Sequence, residues 1–107
     1  PLNSTLNRGL RNTIRGWAVI SIGAPNIDAA SDGTLASLVK NGTGDVTLTL
    51  PSPIGSATSS ICAVGSATDS FDVSVRCVAV ATNQIRIYAR KAGAGHDCTV
   101  AVHWTGI

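Results

Sequence analysis

Arg86, Tyr88 and Arg90 alternate with Ile85, Ile87 and Ala89. In a β-strand that period of two puts the two arginines and the phenol ring on one face and the aliphatic residues on the other. An exposed Arg-Tyr-Arg stripe does the chemistry of recognition: it forms an inter-subunit contact or a sugar- or partner-binding face. A second basic group, Arg8, Arg11 and Arg15, lies in residues 1–15 among Leu2, Leu6, Leu10 and Ile14, with no acid between them. The fourfold spacing of the aliphatics suits a short amphipathic helix, but Gly9 and three asparagines weaken it. The expectation is an ordered arm that packs on a neighbouring subunit. Nucleic-acid binding would need more charge and aromatic support than three arginines give.

Bond-making chemistry finds little footing. Serines are plentiful, but none sits in a GxSxG elbow. Asp45, Asp69 and Asp72 are the carboxylates that could pair for glycoside hydrolysis, yet turn-forming acids explain them more simply. The stretch Ala92-Gly93-Ala94-Gly95-His96-Asp97 lacks the helical continuation of a phosphate-binding loop. His96 and Cys98 stand two apart, whereas zinc usually takes four ligands in close pairs, so no metal and no cofactor is expected. His96 is kept as a candidate surface contact, and His103, out of phase with its apolar neighbours, is expected at solvent or at a subunit interface. Cys62, Cys77 and Cys98 leave an odd thiol under any pairing. Each falls in an apolar strand, where cysteine acts as a small hydrophobe, and three reduced, buried thiols are expected. A Cys77–Cys98 bridge would require their strands to pair. Asn3 and Asn41 match the glycosylation sequon, read as chance because no secretion signal is seen.

The elements that must carry these groups are strands. Of 107 residues none is Glu or Met, all six acids are Asp, and charged residues make up 13% with a net charge of +2. Strong helix formers are scarce, while Val, Ile, Thr, Gly and Ser abound. Asp45–Leu50 alternates Val46, Leu48 and Leu50 inward against Thr47 and Thr49. With Thr34–Lys40 it forms a hairpin whose positive-φ turn is assigned to Asn41-Gly42. Pro51 and Pro53 close it. Further strands are expected at Trp17–Ile22, around Ile27, at Ser59–Val64, Phe71–Val80, Ile85–Arg90 and Cys98–Thr105, with Phe71 in the inward set and the tryptophans in the core. Seven or eight such strands predict an all-β, antiparallel sandwich, jelly-roll-like, over residues 16–107. The low charge fraction suggests that other subunits cover part of the surface. No apolar run is long enough for a membrane helix. The first-position Pro suits a removed initiator methionine and a whole gene product.

The segments Gly16-Trp17-Ala18-Val19, Ala36-Ser37-Leu38-Val39 and Asn41-Gly42-Thr43-Gly44-Asp45-Val46-Thr47-Leu48-Thr49-Leu50 resemble the small β domain that ends many bacteriophage tail-fibre and related virion proteins. Asn83-Gln84-Ile85-Arg86-Ile87, Asp97-Cys98-Thr99-Val100-Ala101-Val102 and the final Gly106 extend the likeness across residues 15–107. The resemblance implies a homotrimeric, jelly-roll-like knob on a virion surface, without catalytic machinery. On this expectation the chain is made in the bacterial cytoplasm, joins other virion proteins through residues 1–15 and meets a host glycan or receptor through the loops at 28–33, 65–70 and 92–97. The alternatives are a capsid decoration (cement) protein that stabilises the head through its arm, and a small carbohydrate-binding module, for which Tyr88 is the candidate platform.

Overall fold

A computed structural model describes residues 14–31, 37–69 and 71–107. It is an antiparallel β-sandwich. The strands are β1 (Ile14–Ser21), β2 (Asn26–Ala30), β3 (Ser37–Gly42), β4 (Asp45–Thr49), β5 (Ile61–Ala67), β6 (Ser74–Ala81), β7 (Gln84–Lys91), β8 (Ala94–Gly95) and β9 (Thr99–Gly106), with one 3-10 turn at Thr58–Ser60. The first sheet runs β2-β1-β9-β5; the second runs β3-β4-β7-β6, with β8 added to the end of β7. Hairpins β1–β2, β3–β4 and β6–β7 stay within a sheet. Arg8 and Arg11, most of the proposed arm, and residues 32–36 lie outside the described residues. No helix among the described residues is long and apolar enough to cross a membrane.

Alternation builds the core. Ala18, Ile20 and Ile22 from the first strand and its end, Val46, Leu48 and Leu50, Ile85, Ile87 and Ala89, and Val100, Val102 and Trp104 are all buried, joined by Ile54 and Cys98. These rows meet between the sheets, each inward side chain backed by an outward one at the next position. The Trp104 indole packs against Gly16, opposite it in the β1–β9 ladder. A Cβ at Gly16 would collide with the indole, so the residue without a side chain is what admits the ring.

Four sequence expectations change. β1 starts at Ile14, so Arg15 belongs to the sheet, opposite Thr105. Trp17 is 47% exposed: Ala18, Ile20 and Ile22 take the inward phase, and strand geometry then turns Trp17 outward. Phe71 is fully exposed, because β6 begins only at Ser74. The β3–β4 turn falls at Thr43-Gly44. The ladder slips between Lys40 and Gly42, Gly42 pairs with Asp45, and the positive φ of 67° belongs to Gly44. A side chain at Gly44 would run into the Ala89 carbonyl oxygen and the His96 amide nitrogen.

The thiols also separate. Cys98 is buried and Cys77 half-buried, but Cys62 is exposed on the outward phase of β5, and all three are free. β6 pairs with β7, while Cys98 leads into β9, which pairs with β1 and β5, so the condition for a Cys77–Cys98 bridge is not met. Burial pushes the Cys77 thiol up to about 11 and raises Cys98 as well, with Asp69 and Asp97 adding to the latter. Both are held as neutral thiols and are poor nucleophiles.

Candidate functional site

Register decides which outward side chains meet. On the second sheet Thr47, Arg86 and Val78 form one rung, Asp45, Tyr88 and Arg76 the next, and Arg90 stands opposite Ser74. The Arg86–Tyr88–Arg90 stripe therefore faces outward as expected. It gains a fourth member, Arg76 from β6, because that strand pairs with β7.

The three arginines are not equivalent. Arg86 grips Asp45 with two bonds, Nε to Oδ1 at 3.0 Å and Nη2 to Oδ2 at 2.7 Å, the planar fork geometry that guanidinium and carboxylate share. Its Cζ also sits 4.9 Å from the centre of the Tyr88 ring, within cation–π range. The Arg86 hydrogen bond holds the Asp45 carboxyl below its ordinary range and Arg86 correspondingly high. Arg76 and Arg90 make no ion pair among the described residues and both are exposed. Ser74, Val75, Arg76, Val78, Tyr88 and Arg90 enclose an open depression of about 660 Å³. Arg86 is absent from that lining: it covers one side of the phenol ring, and the depression opens on another.

His96 stands apart from this group. It is half-buried in the β8–β9 connection, where its backbone N–H donates to the Ala89 carbonyl at 3.0 Å. Next to it Asp97 accepts from the Gly44 amide at 2.9 Å and from Lys40 Nζ at 2.9 Å. The Gly44 amide first, and Lys40 second, hold the Asp97 carboxyl below its usual range. Lys40 also donates to the Gly23 carbonyl at 3.0 Å, so one cluster ties three connections together at this pole of the sandwich. The segment 92–97, expected to be a contact loop, is thus fixed by structure: Ala92 and Gly93 turn with φ of 53° and 81°, and β8 folds back onto Arg90 and Lys91. Two further acids among the described residues are engaged too. Asp69 accepts from the Thr99 amide at 3.1 Å, and Asp72 pairs with Lys91 at 3.3 Å.

The outward face of the first sheet is of another kind. Trp17, His103 and Val64 form one rung across β1, β9 and β5, and Val19, Ala101 and Ser66 the next. Val64 is 49% exposed, much like Trp17 on the other side of His103. His103 is exposed among them, and Arg15, Thr105 and Cys62 form the rung nearest the chain ends.

Comparison with protein-family models, with curated proteins and with solved structures finds no match. The geometry of the two outward faces therefore carries the functional argument.

Two members of that geometry escaped the sequence reading. Arg76 was visible only as a polar position in an alternating strand, and nothing short of the β6–β7 register places it beside Tyr88. Trp17 had a usable signal: it shares its phase with Arg15 and Val19 and opposes Ile20 and Ile22.

Proposed function

We propose that the chain is a non-enzymatic structural protein of a bacteriophage particle, the trimeric knob of a fibre or spike that contacts the host surface. The observation that carries this reading is the polarity of the sandwich. Ile14 pairs with Gly106, and the Ser56 amide bonds to the Ile107 carbonyl at 3.0 Å, so the described chain enters and leaves at one pole. The Thr43-Gly44 and Ala92-Gly93 turns and the Asp97 cluster form the opposite pole. The depression around Arg76, Tyr88 and Arg90 lies towards that second pole, on the outer side of one sheet. A knob held from its terminal pole would present the depression outward.

The apolar rungs of the first sheet support self-association. Trp17, Val19, Val64 and Ala101 make a half-exposed, largely apolar surface around His103 in a chain with only 13% charged residues, and such patches mark contact faces. Three copies meeting through it would point three depressions away from the contact, and weak sites held rigidly together bind through avidity. The test is light scattering of the purified protein, followed by electron microscopy of intact particles labelled against it. A trimer whose label sits at a fibre or spike tip is expected. A clean monomer at micromolar concentration overturns the trimer, and label over the head shell overturns the fibre role in favour of decoration.

A further inference from the structure

We infer that the depression lined by Ser74, Val75, Arg76, Val78, Tyr88 and Arg90 is a binding site for a saccharide that carries a carboxylate. The inference rests on the knob reading for its place on a particle surface, while its chemistry comes from the site itself. At about 660 Å³ the depression falls in the size range of small-ligand sites, enough for one or two sugar rings. Its wall is divided. Val78 and the phenol ring of Tyr88 offer the aliphatic and aromatic surface that the C–H face of a pyranose needs, while Val75 turns its side chain inward to the core and lines the depression from the strand beneath. Arg76 and Arg90 offer planar, multiply donating cations matched to a carboxylate.

Charge pairing singles out these two arginines. Asp45 engages Arg86 through two bonds, so the acid of this rung is spent on the arginine outside the depression. Arg76 lies across the ladder from Tyr88 and Arg90 lies two residues along β7, so two arginines free of ion pairs among the described residues line the same depression as the ring. Arg86 stacks on the ring and fixes its orientation. A neutral sugar would leave both cations unanswered. A nucleic-acid backbone would ask for a continuous cationic track, whereas this depression offers two arginines.

The probe is digalacturonate, titrated into the intact ¹⁵N-labelled chain, with its dimethyl ester as the uncharged match and acetate as the carboxylate alone. The expected result is saturable shifts at the Arg76 and Arg90 Nε–H signals and at the Val78 amide. The ester should bind on the order of tenfold more weakly, as loss of charge-assisted bonds would produce. Arg76→Gln with Arg90→Gln should weaken the acid by a similar factor while the rest of the spectrum stays in place, and Tyr88→Leu should weaken acid and ester together. Equal affinity for acid and ester overturns the carboxylate. Acetate binding as tightly as the disaccharide overturns the sugar. No shift at these residues overturns the site. Light scattering of the same samples reads the trimer separately, so loss of this site and loss of the knob reading are distinct results.

Discussion

The two outward faces of this sandwich are built by the same rule and end in opposite chemistry. On the first sheet the positions that alternate with Ala18, Ile20, Val100 and Val102 are Trp17, Val19, Ala101 and His103. On the second sheet the positions that alternate with Val46, Leu48, Ile85 and Ile87 are Asp45, Thr47, Arg86 and Tyr88. The inward halves are interchangeable aliphatic rows. The outward halves divide the work between an apolar surface, which gains by being covered, and a cationic depression, which gains by finding an anion. In a sandwich the fold uses one phase of each strand and leaves the other free to specialise, so functional differences gather on the outward phase.

The sharpest way to break this contrast is to make the first face resemble the second. Trp17→Asp with Val64→Lys places charges on the central rung without touching the core. If this face joins copies of the chain as proposed, the expected outcome is folded monomers where the parent runs as a trimer, read by analytical ultracentrifugation with circular dichroism as the check on folding. An unchanged oligomer would place the interface elsewhere.

A smaller effect separates the faces by acid. Asp45 leans first on Arg86, and Asp97 on the Gly44 amide and then on Lys40, whereas Asp28, in β2, accepts only from neutral Ser21 and Asn26 side chains, with an Asn26 bond of 2.8 Å. All three carboxyls are held below the ordinary value of 3.8. A depressed folded-state value means that the unfolded chain binds protons first. The stabilisation is therefore complete above the unfolded value and is lost as pH falls through the folded one. Asp97→Asn should lower Tm most near neutrality, and the gap to the parent should close between about pH 5 and pH 2. Asp28→Asn should show a smaller gap at neutrality. Thermal melts across that range measure both, and a gap for Asp97→Asn that stays constant with pH would remove the charge from the argument.

The smallest expected effect refines the rigid pole. Ala92 holds a φ of 53°, a left-handed conformation that costs an ordinary residue about 1–2 kcal/mol and that asparagine tolerates better. Ala92→Asn should raise stability by up to about 1 kcal/mol, seen as a rise in Tm of about 4–8 °C at most for a domain of this size. No rise would mean that the turn is held by β8 and the Asp97 cluster irrespective of its own preference.

The core was legible because it depends on period alone. Val46, Leu48 and Leu50, then Ile85 and Ile87, then Val100 and Val102 follow directly from alternation. Phase was harder at strand ends: Phe71 continues the inward pattern of Val73 and Val75 but precedes the start of β6. Between Gly42 and Gly44, two residues apart, a ladder slip at Lys40–Gly42 settles the turn, and a slip is a property of the pair of strands. The site was half legible for the same reason. Arg86, Tyr88 and Arg90 share one strand and so can be read along the chain, whereas Arg76 arrives from β6, and the bidentate Asp45–Arg86 pair that leaves Arg90 free needs β4 beside β7.

The pairing of the first strand with the last has a mechanical consequence. β1 and β9 lie side by side over eight residue pairs, with Ile14 and Gly106 at one pole and Ser21 and Thr99 at the other. A pull between Ile14 and a ligand held at the far pole runs parallel to the strands. Every rung of that ladder then shares the load, and rupture requires many hydrogen bonds to fail together. A pull that separated Ile14 from Ile107 would open the same ladder one rung at a time. The chain is thus strong along the axis on which a tethered knob would be stressed and weak across it.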